Sequence, residues 1–216
     1  MSPKNVKYGY LSTLDKPLTY QYSKFLGYGF IKEYIKIRSE AIDWSKYGYK
    51  YNPIHQKDNI SFYLKSFNFE RYDIKYLLKR VYIENSTKEK LKLILFILHR
   101  YSKPKVVYKK IYNWLSMFIK KYEVSKKIYV EYNPRWEKKS ADYKIIENYV
   151  LLALNLAIFY NNSKNLKFLN TLLKLNDILC GIKEDIPENY RPLFCLALYL
   201  ELDAIKHLAS KKGLVI

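Results

Sequence analysis

The chain has few cysteines, glycines and prolines, and each shortage excludes a class of protein. Its 216 residues include 2 cysteines, 6 glycines and 7 prolines. Two cysteines do not make a disulfide scaffold, and we expect Cys180 and Cys195 to be buried thiols rather than a bridged pair. So few glycines and prolines argue against a collagen-like chain, a flexible linker or an all-β fold with many turns.

A long hydrophobic segment is also missing. The longest apolar run, residues 149–160, contains Asn155 and is shorter than the ~20 residues that a membrane span requires. The start of the chain has no apolar stretch of the kind found in signal peptides. These absences predict a cytoplasmic protein without a transmembrane segment.

Motifs for nucleotide binding, metal binding and common forms of catalysis are absent. The glycines form neither a phosphate-binding loop nor a dinucleotide fingerprint, and no GxSxG occurs. His55, His99 and His207 lie in separate segments, and neither cysteine belongs to a CxxC pair. We therefore expect no metal site and no cofactor. No catalytic residue can be named, and enzymatic activity stays undecided.

Positive charge is abundant and unevenly distributed. The chain has 39 basic and 20 acidic residues, a net charge of +19. Residues 1–139 hold 30 of the basic and 12 of the acidic residues, and 19 of the 24 tyrosines, whereas residues 140–216 are nearly neutral and rich in leucine. This asymmetry predicts a polyanionic partner for the first region: nucleic acid, an acidic protein or an anionic membrane surface.

Apolar residues recur at helical spacing through most of the chain. The pattern predicts an all-α bundle of about seven helices, with a basic, Tyr-rich region (1–139) packed on a Leu-rich unit of three helices (140–216). The two regions form either two domains or one continuous domain. A bundle is favoured over a helical solenoid because no repeat follows at a fixed period.

Local signals place several helix ends. Asn68 is a predicted N-cap, Ser86 and Glu89 form a predicted capping box, and a helix is expected to begin at Lys105. Residues 128–132 read as an extended linker. In the Leu-rich unit we expect a central buried helix over 140–160, a second helix capped by Ser163 and ended by Gly181, and a third beginning at Pro192.

Basic side chains interleaved with aromatic ones form the candidate site. Arg71, Lys75 and Lys79 recur every four residues with Tyr72 and Tyr76 beside them, and a second stripe contains Lys105 and Lys109, with Lys110, Lys120 and Lys121 close to it. Arg135, Trp136 and Lys138 follow before the second region. Lysines contact phosphates as point charges, and aromatic rings stack on unpaired bases.

The composition therefore predicts a non-catalytic protein that binds a polyanion largely without sequence preference. Nucleic acid is the favoured polyanion. Lysine outnumbers arginine 33 to 6, which argues against bidentate base readout. One alternative is an accessory protein that docks on an acidic partner, with the C-terminal helices as a homo-oligomer interface. Another is an enzyme with a pocket of Tyr, Lys and carboxylate side chains.

Overall fold

A computed structural model describes residues 72–101, 105–131 and 140–211, together with positions 35, 36, 38–40, 42, 64 and 69. These residues form an all-α multi-helix bundle and contain no strand, as predicted. The helices are α1 (Ile74–Ile83), α2 (Thr87–Arg100), α3 (Lys105–Glu131), α4 (Ser140–Ser163), α5 (Leu166–Gly181) and α6 (Arg191–Ser210). Two 3-10 helices, Lys183–Asp185 and Glu188–Tyr190, connect α5 to α6. The described positions between 35 and 42 are also helical.

Helix α4 is the centre of the bundle. It packs against α2, α5 and α6, and it also contacts α3. Every side chain from Tyr149 to Ala157 is buried, because apolar residues occupy all sides of the helix rather than one stripe. The Asn155 amide within this run donates to the carbonyl oxygens of Leu91 on α2 and Leu151 on α4, at 3.0 and 2.8 Å. The predicted central helix is therefore present.

The hydrophobic core includes residues from both predicted regions. One cluster of buried side chains joins α1, α2 and α3 to α4, α5 and α6. The Tyr108 ring of α3 stacks on Phe159 of α4 at 4.6 Å, and its hydroxyl donates to the Phe159 carbonyl oxygen. The division at residues 139 and 140 stays a prediction, but these contacts cross it.

Helix α1 begins later than the sequence predicts. Its N-cap is Asp73, whose carboxylate accepts a hydrogen bond from the backbone N–H of Tyr76 at 2.7 Å. Phe69 is buried in a non-helical conformation. The predicted cap, Asn68, lies outside the described residues. A cap at Asn68 would make Phe69 the first helical residue, and this prediction is wrong, because an apolar residue at helical spacing can also enter the core from the segment before a helix.

Only half of the predicted capping box forms at the start of α2. The Ser86 hydroxyl accepts the backbone N–H of Glu89 at 3.4 Å. The carboxylate of Glu89 binds Lys92 instead of returning to Ser86, and the N–H of Ser86 donates to Glu84 at 2.9 Å. A nearby acceptor and a nearby cation therefore replace the second half of the motif.

The ends of α3 and α4 also differ from the predictions. Helix α3 continues to Glu131, so residues 128–131 are not an extended linker; no proline or glycine interrupts the chain between 105 and 131. Ser163 ends α4, and Asn165 caps α5 by accepting the backbone N–H of Lys167 at 3.1 Å. Between them Lys164 adopts a left-handed conformation, with φ of 55°.

The last two helix ends lie close to their predicted positions. Gly181 is the final residue of α5, with Ile182 as the cap. Pro192 lies in the first turn of α6, where a proline removes no intrahelical hydrogen bond. Cys180 and Cys195 are buried thiols that form no disulfide with each other.

A buried ionic cluster holds the segment around residue 38 against the C-terminal helices. Arg38 is fully buried and donates from Nε to Glu201 at 2.9 Å, from Nη1 to the Cys180 sulfur at 3.2 Å and from Nη2 to the Leu173 carbonyl oxygen at 3.3 Å. Its Nη1 also lies 3.7 Å from the Asp177 carboxylate. This cluster joins α5 and α6 to a residue far away in sequence.

Candidate nucleic-acid interface

Helix α1 presents an outward surface in which tyrosines alternate with basic side chains. Only Leu77 and Val81 of this helix are buried. At 3.6 residues per turn, the outward side chains of the helix span an arc of about 160°, and Tyr72 joins them from the residue before the cap. We call this surface the α1 face; its members are Tyr72, Lys75, Tyr76, Lys79, Arg80, Tyr82 and Ile83.

Two tyrosines of the α1 face are stacked on each other. The ring centroids of Tyr72 and Tyr76 are 4.5 Å apart and the ring planes meet at 20°. Their exposed fractions are 37% and 40%, and Tyr82 is 79% exposed. The neighbouring Tyr76 hydroxyl raises the pKa of Arg80 above its ordinary value.

A second outward surface, on α3, carries lysines and no carboxylate between Val107 and Lys121. Its side chains fall within an arc of about 120°, and we call it the α3 face. Its members are Lys109, Lys110, Asn113, Met117, Lys120 and Lys121, all exposed.

The opposite side of α3 enters the core, as its helical spacing predicts. Val107, Ile111, Leu115 and Phe118 are buried, and Trp114 is half-buried. The side chain of Tyr122, which the same spacing places on this side, lies outside the described residues. The amphipathic pattern therefore turns the lysines of the α3 face towards solvent.

The lysines of the two faces have no acidic partner among the described residues. The ion pairs in this part of the chain involve Arg38, Arg80, Lys88 and Lys92. Within the ranges that the structure describes, no carboxylate neutralises the charges of the two faces.

One contact links the ends of the two faces. The Lys121 ammonium donates to the Thr87 hydroxyl at 3.2 Å, which brings the end of the α3 face to the start of α2. Thr87 follows Ile83 by four residues, and four residues span at most about 14 Å. The two faces therefore approach each other at this end of the bundle.

The described part of the chain contains five of the predicted site side chains. Lys75, Lys79, Tyr72 and Tyr76 lie together on the α1 face, and Lys109 lies on the α3 face. Lys105 is the first residue of α3, but its side chain lies outside the described residues, as do Arg71, Arg135, Trp136 and Lys138.

Tyr82 and Met117 are exposed residues of these faces that the sequence prediction missed. Tyr82 lies seven residues after Lys75, two helical turns along the same stripe, so its spacing was a usable signal. Met117 is 54% exposed at the middle of the α3 face; it lies four residues after Asn113 and four before Lys121, so helical spacing was a usable signal for it as well.

The described residues contain neither a group of metal ligands nor a membrane-spanning helix. No three His, Cys, Asp or Glu side chains in these ranges gather as metal ligands would. None of the helices described here is long and apolar enough to cross a bilayer.

The chain matches no protein-family model, no curated protein and no solved structure. The functional assignment therefore depends on the charge and the aromatic surface of α1 and α3.

Proposed function

We propose that the protein binds nucleic acid without sequence preference, and that the lysines of the α3 face and the α1 face contact its phosphates. The observation that carries this proposal is the α3 face, where four exposed lysines occur in 13 residues with no carboxylate among them. Neutralising several phosphates releases counterions, which is the main source of affinity in non-specific binding.

The chemistry of the side chains supports non-specific contact. Lysine is a flexible point charge, whereas base readout in a groove relies on the planar fork of arginine or on amides. The α3 face contains four lysines and one amide, Asn113. A cytoplasmic location belongs to this proposal, since nucleic acids are available there. The acidic-partner, homo-oligomer and enzyme alternatives stay predictions.

The test is a comparison of two variants with equal net charge. Lys109→Gln/Lys110→Gln/Lys120→Gln removes three charges from the α3 face. The control, Lys167→Gln/Lys206→Gln/Lys211→Gln, removes three exposed charges elsewhere in the described residues. Binding to a labelled duplex of about 20 base pairs is measured by anisotropy between about 50 and 200 mM salt.

We expect the wild-type affinity to fall steeply as salt rises. Each phosphate contact contributes about 0.9 to the slope of log K against log salt, so the α3 variant is expected to lose up to about 2.7 from that slope. The control variant is expected to stay near the wild type. Binding that does not depend on salt, or equal losses in both variants, would refute the proposal.

A further inference from the structure

The stacked tyrosines of the α1 face add an uncharged aromatic surface to the lysines that the proposed function uses. Tyr72 and Tyr76 bring two nearly parallel rings, each more than a third exposed, beside Lys75 and Lys79, which have no acidic partner among the described residues. From this arrangement we infer that the preferred ligand is single-stranded nucleic acid, with an unpaired base stacked on the tyrosine pair. The inference rests on the proposed function.

Stacking of a base on a protein ring distinguishes a single-stranded ligand from a duplex. In a duplex both faces of each base are covered by neighbouring bases, so a tyrosine ring has no free base to stack on. In a single strand the bases can be unstacked at small cost, and a protein aromatic ring can replace a neighbour. The α1 face therefore adds binding energy to a single strand that it cannot add to a duplex.

The tyrosine pair is held in position before any ligand binds. Asp73 fixes the first turn of α1 by capping the backbone N–H of Tyr76, and the Tyr72 and Tyr76 rings pack on each other with centroids 4.5 Å apart. A ring that is already ordered loses less conformational entropy on binding than a free one. The pair is thus a preformed platform rather than two mobile side chains.

The basic side chains lie at suitable places for a strand that crosses the platform. Lys75 and Lys79 are one turn apart on α1, about 6 Å along the axis, and both are exposed. Tyr82 adds a third exposed ring about 9 Å further along the axis and about 120° around the helix from Tyr76.

The test uses oligonucleotides of equal charge. The probes are a labelled oligothymidylate of about 12 nucleotides, an abasic oligomer with the same number of phosphates, and a duplex with the same number of phosphates. The site variants are Tyr76→Leu, which removes the ring, and Tyr76→Phe, which keeps the ring and removes the hydroxyl. The matched control is Tyr199→Leu on α6, since Tyr199 is 38% exposed. Circular dichroism checks that each variant keeps its helix content.

We expect the wild type to bind oligothymidylate about tenfold more tightly than the abasic oligomer, because one stacked base contributes roughly 5- to 150-fold. Tyr76→Leu is expected to remove most of this ratio without changing the affinity for the abasic oligomer. Tyr76→Phe is expected to keep the ratio, and Tyr199→Leu to leave all affinities unchanged.

The outcomes separate this inference from the proposed function. Equal, salt-dependent binding of oligothymidylate and the abasic oligomer would overturn the inference and leave the proposed function standing. Tighter binding of the duplex than of oligothymidylate would do the same. If none of the three probes shows salt-dependent binding, the inference and the proposed function are both overturned.

Discussion

Arg38 is buried, and all the partners described above for its guanidinium lie in the C-terminal helices, far away in sequence. Its guanidinium is fully buried and contacts the carboxylates of Glu201 and Asp177, which lie on different helices. Asn176 donates to the second oxygen of Glu201 at 2.5 Å. Buried charges are tolerated because each has a charged or hydrogen-bonding partner. Arg38 lies at helical spacing from Ile35 and Ile42, on an apolar side of its segment, but the sequence does not show which carboxylates it meets.

Removing the cation is expected to destabilise the fold strongly. Arg38→Met leaves the Glu201 and Asp177 carboxylates buried without their counter-charge, and we expect the free energy of unfolding to fall by about 3–5 kcal/mol. Urea denaturation followed by circular dichroism measures this change. Arg100→Met, at an exposed position on α2, is the control and is expected to change the stability by less than about 1 kcal/mol. A loss below about 1 kcal/mol in Arg38→Met would contradict the account.

The thiol of Cys180 provides a test with pH. Burial raises the pKa of Cys180 to about 11, although Arg38 opposes the shift. Since the folded pKa lies above the unfolded value of 9.0, the stability from the neutral thiol is complete below pH 9 and is lost as the pH rises towards 11. At about pH 10 the loss amounts to about 1 kcal/mol.

Lysine and tyrosine side chains titrate in the same pH range, so the measured quantity is the difference in pH dependence between the wild type and Cys180→Ala. We expect the free energy of unfolding to fall by about 1 kcal/mol more between about pH 7.5 and pH 10 in the wild type than in Cys180→Ala. Urea denaturation at the two pH values measures both. The same pH dependence in the two proteins would show that folding does not raise the pKa of the Cys180 thiol.

At the scale of elements, α1 depends on its cap more than the central helices do. Only two of its ten residues are buried, so packing contributes little and the Asp73 cap contributes a larger share. The sequence predicted that a helix with a basic, aromatic side lies here, because Lys75, Lys79 and Tyr76 repeat at helical spacing. It did not predict where the helix begins, since polar capping residues occur at both Asn68 and Asp73.

Loss of the cap is expected to loosen α1 without unfolding the core. Asp73→Ala removes the acceptor for the Tyr76 N–H and is expected to cost about 1 kcal/mol. That cost lowers hydrogen-exchange protection of the α1 amides by about fivefold. Asp73→Asn, which keeps an acceptor, is the control and is expected to keep most of the protection. Hydrogen-exchange mass spectrometry measures the protection of α1 and of α4 in the same experiment. Equal changes in the two helices would contradict a local role of the Asp73 cap.

At the scale of the whole molecule, the two predicted regions share one core. Helix α2 of the first region packs along α4 of the second, and Arg38 pairs with α5 and α6. Separating the regions would expose the apolar sides of α2 and α4 and leave charges of the Arg38 cluster without their partners.

We therefore predict a single cooperative unfolding transition. The three tryptophans, at positions 44, 114 and 136, all precede residue 140, so their fluorescence reports the first region alone. Far-UV circular dichroism reports helices in both regions. The two signals are expected to give the same urea midpoint. An earlier transition by fluorescence would show that the regions unfold separately and would support two domains.

The sequence by itself determined the helical class, the approximate extent of the helices and the amphipathic sides of α1 and α3. Helical spacing and capping act between residues three or four apart, so they can be read from a short stretch of chain. Tertiary structure alone decided that Tyr72 stacks on Tyr76, that Arg38 is buried beside Glu201 and that Lys121 reaches Thr87. These contacts depend on which surfaces meet when the helices pack, and no local pattern records that choice.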